Sequence, residues 1–180
     1  MSKIDKTNKK EITEKLQELS KNELSLLVIE ISKICPKARD FLAIKFSSQD
    51  SIKKVFEDYK MIIKNEFYPQ RGHGKLKLSV AKKAISDFKK ISVDKIMIID
   101  LMLYYVENCV QFTIDYGDIN ESFYSSAESM FQNAVKTINT GDHALYEQFS
   151  SRLNWITKKA IDGWGFKDTL REIYFDLKFI

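Results

Sequence analysis

From Ile96 to Val135 the chain has no lysine or arginine, although 29 of its 180 residues are one or the other. At that background a window of this length comes up empty about once in a thousand, so something other than chance sets its composition. Punctuation is scarce as well: six glycines and two prolines leave too few turns for a many-stranded β fold. Cys35 and Cys109 are far apart, fit no metal-ligand spacing and lie among apolar neighbours. They are expected as reduced thiols in the core of a cytoplasmic protein, not as a disulfide framework. No apolar run reaches the roughly eighteen residues of a membrane span, and Ser2-Lys3-Ile4-Asp5-Lys6 behind Met1 offers no apolar signal region. Neither secretion nor membrane spanning is expected.

Enzyme signatures are missing too. A di-iron helical bundle needs Glu-x-x-His on two helices, and His73 and His143 have Gln70 and Thr140 three residues earlier. Gly74-Lys75 runs into Leu76 without the upstream glycine of a phosphate loop. No Gly-x-Ser-x-Gly elbow occurs, and Cys109 has no histidine nearby to activate it. No catalytic residue, metal or cofactor is expected, and the chain reads as non-enzymatic.

What the sequence does contain is helical periodicity. With 44% hydrophobic residues and 22 aromatics, residues 1–180 can fill one core and are expected as a single helical domain, with 1–8 a flexible tail. Ser20 and Glu23 have capping-box spacing. They open an apolar helix carrying Leu24, Leu27, Val28, Ile31 and Ile34, and Pro36 suits the first turn of the next. Asp50 can cap a helix whose inward face is Ile52, Val55, Phe56, Tyr59, Ile62, Ile63 and Phe67. Beyond the loop Tyr68–Leu78, Ser79 can cap a helix with Val80, Ala84, Ile85 and Phe88 inward. Val93–Tyr116 is apolar on most sides, as a central helix would be. Asp118 can cap the helix after it and Gly141 can end that helix in a left-handed turn. Asp142 can open another, and Gly163-Trp164-Gly165-Phe166 breaks the chain before the last. About nine helices with short connections predict an all-α fold, an antiparallel bundle or an irregular stack of helical hairpins.

Charge is the stronger signal. Arg71–Lys95 carries a formal charge of plus six, and the cation-free block behind it carries minus six with seven aromatics. The two blocks either pair internally or form separate surface patches. On the central helix Asp100, Tyr104, Glu107, Asn108, Gln111 and Asp115 fall within an arc of about 100°, which predicts a compact polar seam. That seam can face solvent, can receive cations from Arg71, Lys82 or Lys83, or can hold a hard cation between its carboxylates. The loop and helix beyond Pro69 offer a second candidate site, Arg71, His73, Lys75, Lys77, Lys82 and Lys83, where two glycines and a helix start would suit an anion or a nucleic acid. The simpler reading is a solubilised connection. Trp164, between two glycines, is expected to plug the core and to cost about 3–5 kcal/mol when cut to alanine.

Several segments together resemble a bacterial family classed only as a domain of unknown function. They are Phe67-Tyr68-Pro69-Gln70-Arg71-Gly72, the run Lys75–Lys90, Asp100-Leu101-Met102-Leu103-Tyr104-Tyr105-Val106-Glu107, Phe112-Thr113 with Tyr116-Gly117-Asp118, Ser129-Met130-Phe131 and Gly163-Trp164-Gly165-Phe166. Over the first sixty residues the resemblance rests on the capped helical pattern alone. It implies an all-helical bacterial protein and supplies no activity. Three functions stay open: an interaction module for a protein partner or for self-association, a binder of nucleic acid or another polyanion through 71–90, and an enzyme built on the polar seam.

Overall fold

The computed structural model describes residues 6–180, with side chains from Asn8 onward. Among the described residues there are nine helices and no strand: α1 (Lys6–Gln17), α2 (Lys21–Ile34), α3 (Pro36–Phe46), α4 (Gln49–Phe67), α5 (Leu78–Ile91), α6 (Lys95–Tyr116), α7 (Glu121–Ile138), α8 (His143–Lys159) and α9 (Phe166–Phe175). The all-α expectation holds. Helix α1 begins at Lys6, inside the tail expected over 1–8, and the remainder of that tail lies outside the described residues.

The backbone groups into two compact units, the described part of Met1–Ser51 and Ile52–Ile180. In the first, α2 starts on the capping box read from its sequence: Ser20 Oγ accepts from Glu23 N–H, and Glu23 accepts from Ser20 N–H. Pro36 stands at the first turn of α3, and α2 packs on α3. Cys35, which links these helices, is exposed, so it is not the core thiol its apolar neighbours suggested. An apolar neighbourhood in sequence buries a residue only where a second element covers it.

The second unit is an up-and-down bundle around α6. Phe56 and Tyr59 of α4 meet Phe88 of α5, while the far end of α4 meets the start of α5 through Leu76 N–H and the Glu66 carbonyl, so the two run antiparallel. Between α6 and α7, Tyr105 faces Ser126 and Phe112 faces Phe123. The numbers move in opposite senses, and this pair is antiparallel as well. Helix α4 runs parallel to α6, with Lys60 at Asp100, Phe67 at Tyr105 and Tyr68 at Asp115. Helix α6 buries eleven residues from Ile99 to Thr113 around most of its circumference, as its near-continuous apolar sequence requires.

Several helix starts differ from the sequence reading. Helix α5 begins at Leu78, with Lys77 at the cap position and no capping side chain, so Ser79 does not cap it. The cap of α7 is Asn120, whose Oδ1 accepts from Phe123 N–H. Asp118 instead accepts from the Tyr124 hydroxyl of α7 and from the Trp164 indole N–H. Gly141 has no positive φ. A Cβ there would meet the Leu145 side chain, whose methyl end would have to turn aside.

Candidate functional site

The polar arc of α6 divides into two clusters. In the first, Arg152 of α8 grips Glu107 with both arms of its guanidinium, Nε to Oε1 at 2.6 Å and Nη2 to Oε2 at 2.7 Å. Arg152 Nη1 lies 3.0 Å from Asp100 Oδ1, and Nη2 donates to the Asp100 carbonyl at 3.3 Å. Lys60 of α4 reaches the same Asp100 oxygen at 3.1 Å while its ammonium lies over the Phe56 and Tyr104 rings. Both cations thus stand within ion-pair distance of Asp100 Oδ1. Burial on its own would lower the Arg152 pKa; the two carboxylates outweigh it and move it up, keeping the cation charged. Asn108 turns back on its own helix and donates to the Tyr104 carbonyl.

The second cluster lies two turns on. Gln111 and the Tyr68 hydroxyl both donate to Asp115, each at 2.7 Å, and burial, with Asp115 next in weight, raises the Tyr68 pKa. The arc is thus partnered along its length, with cations other than those nominated. Arg71 is exposed, Lys83 and Lys90 pair with Asp87 on their own helix, and Lys82 makes no ion pair among the described residues. Lys60 and Arg152 escaped notice although the signal was there. Each holds an apolar-face position of its helix, Lys60 among Phe56, Tyr59 and Ile63, and Arg152 among Phe149, Leu153 and Ile156. Ile62, expected inward, is exposed, whereas the Lys60 side chain is 23% exposed. Among the described residues, no three His, Cys, Asp or Glu converge as a metal site would need.

Around the basic loop, Arg71, His73 and Lys75 line a surface groove of about 520 Å³ together with Gln70, Glu66 and Met61. Lys77, Lys82 and Lys83 are exposed but do not line it. The backbone N–H of Lys77, at the start of α5, is taken internally: it donates to the Glu66 carboxylate at 3.0 Å. Gly74 presses against the end of α4, where a Cβ would sit 2.7 Å from the Glu66 carbonyl. That glycine therefore serves a close helix–loop approach. Cys109 is fully buried beside Tyr105, and burial holds its thiol protonated far above the ordinary range.

The turn before α9 reverses an expectation. Phe166 is the residue that plugs the core, packed on Tyr124 with ring centres 4.9 Å apart. Trp164 is 62% exposed at φ +52. Its indole N–H donates to Asp118 Oδ2 at 3.1 Å, while Asp118 Oδ1 accepts from the Tyr124 hydroxyl at 2.5 Å. Trp164 is therefore a surface residue. In the left-handed region its side chain projects outward, and the chain turns inward two residues later.

The first unit exposes many apolar side chains for its size. Helices α2 and α3 bury no residue fully. Leu26, Ile29, Ile31 and Phe41 are exposed, and Ile34 and Phe46 are 83% and 80% exposed.

Residues 7–177 match the model of a family of unknown function, DUF6155, and the chain belongs to that family. The match takes in residues 7–60, where the likeness read from the sequence rests on the capped helical pattern alone. No curated protein and no solved structure matches the chain.

Proposed function

We propose that this protein is a non-enzymatic helical interaction module that presents the apolar surfaces of α2 and α3 to a protein partner. The carrying observation is a mismatch between sequence and burial. Helix α2 has Leu24, Leu27, Val28, Ile31 and Ile34 on one side and Leu26 and Ile29 on the other, a pattern that belongs to a surrounded helix. Even so, no residue of it is fully covered. Monomeric proteins seldom expose apolar surface on this scale unless something binds it. The charged groups of the seam support the same reading, because Arg152, Lys60, Asp100 and Glu107 are spent on one another and on joining α4, α6 and α8.

The test combines Leu26→Glu with Ile34→Glu in the full chain. Sedimentation of the wild type should show a concentration-dependent complex or co-purification with a defined protein, and the double variant should lose it without a fall in thermal midpoint. A monomer at all concentrations with no partner, together with a variant that melts several degrees lower, would show that this face packs within its own chain. A second reading, polyanion binding, is favoured by the groove of Arg71, His73 and Lys75. Replacing Arg71, Lys75 and Lys77 with alanine should then weaken binding of single-stranded oligonucleotide and flatten its salt dependence.

A further inference from the structure

The first unit has the apolar content of a core and the exposure of a surface. No residue from Asn8 to Ser51 is buried, and ten of the twenty large apolar side chains exposed among the described residues lie in that stretch. On α2, Leu24, Leu27, Val28, Ile31 and Ile34 fall within an arc of about 120° that holds no charged residue. Their spacing of three and four residues is that of a helix-packing seam. On α3, Ala38, Phe41, Leu42 and Phe46 share one side in the same way. Packing of α2 on α3 leaves Leu27, Ala38 and Leu42 half-buried, while Leu24, Val28, Ile31, Ile34, Phe41 and Phe46 on the same arcs stay exposed. The seam is covered in part and open along the rest.

Weighted by exposure, those six side chains leave roughly 500–650 Å² of apolar surface per chain, at about 150–200 Å² for a whole side chain. A standard interface takes about 800 Å² from each partner. Between identical chains about 65% of it is apolar, or about 520 Å². The open seam is therefore the size of one side of a dimer interface. Its composition points the same way. A transient docking patch is about as polar as the rest of a protein surface, whereas contacts between permanent partners resemble a domain core cut in half. A permanent partner must be present whenever the chain is, and a second copy always is. Lys45, which falls within the α3 arc, lies over the Phe41 ring and can carry its ammonium to the rim on its stem.

Resting on the reading of α2 and α3 as an interaction surface, we propose that its occupant is a second copy of this chain, the α2–α3 hairpins of two copies closing one four-helix core across a two-fold axis. Such an axis sets the same apolar stripe against itself. The contact then closes at two chains and does not grow.

Sedimentation equilibrium of the full chain from about 1 to about 100 µM covers the weak end of interfaces of this size. The mass should rise from one chain to two and stop there. Ile34→Glu on α2 and Phe46→Glu on α3, both at exposed positions, should each weaken the association at least about tenfold by placing a charge in the apolar core of the interface. Val93→Glu, at an exposed apolar position of the second unit, should leave it unchanged. A mass of one chain at every concentration, growth past two chains, or an association that Ile34→Glu and Phe46→Glu leave intact would overturn the dimer. Binding of the apolar dye ANS separates that failure from failure of the interaction surface itself. A monomer that binds dye, and binds less as Ile34→Glu, still presents an open face and loses only the second copy as its occupant. A monomer that binds none has the face covered within its own chain, and both readings fall.

Discussion

Replacing Arg152 with methionine would keep most of the aliphatic stem in place while removing every donor that holds Glu107 and Asp100. Removing one member of a fully buried pair costs about 3–5 kcal/mol, and an exposed pair is worth about 0–1. The side chains here are 22 to 26% exposed, and the Arg152–Glu107 contact is bidentate at 2.6 and 2.7 Å. That combination places the loss nearer the buried limit, at about 2–3 kcal/mol. Lys60 remains to face Asp100, but Glu107 is left half-buried with no cation. Urea denaturation followed by helical circular dichroism reads this as a midpoint lower by about 1 M, for an m-value of about 2 kcal/mol per molar. The decisive arm adds Glu107→Leu. Because the uncompensated carboxylate is most of the cost, the double variant should be more stable than the single one. A single-variant loss under about 0.5 kcal/mol, or a double variant weaker than the single, would mean that the cluster is solvated surface and does not join α6 to α8.

The turn before α9 offers a paired comparison: Phe166→Ala should cost about 3–5 kcal/mol as a core deletion, and Trp164→Ala less than about 1, read by the same denaturation. Equal losses would restore Trp164 as a core residue. Tyr124 is pushed up to about 12 by burial first and by its bond to Asp118 second. The folded state therefore holds this proton above the unfolded value near 10. The stabilisation is complete below about pH 10 and is lost as pH rises toward 12. Thermal midpoints measured across that window should fall less steeply in Tyr124→Phe than in wild type, and identical slopes would show that Tyr124 titrates normally.

How much of this could be read from the chain depends on the range of the interaction concerned. The capping box at Ser20 and Glu23, Pro36 at a first turn and the central character of α6 follow from local periodicity and short-range hydrogen bonding, and the structure keeps them. The polar arc of α6 was legible for the same reason, since angular position on one helix needs no knowledge of its neighbours. Its partners were not. Lys60 and Arg152 stand 40 and 52 residues from Asp100, and the choice between them and the nearer Lys82 and Lys83 depends on which helices α6 touches. Capping failed where side-chain donors competed: Asp118 suits a helix start, but the Tyr124 hydroxyl, one and a half turns on, and the distant Trp164 indole each bond one of its oxygens. Trp164 and Phe166 are equally apolar as letters. The positive φ values at Trp164 and Gly165 decide that the second enters the core and the first is held at the surface, because a backbone reversal sets which side chain points inward. The sequence by itself determined the helices and the face each one shows, through local sterics and hydrogen bonding. Tertiary packing decided which face is covered and by what, since that is the sum of many contacts between residues far apart in the chain.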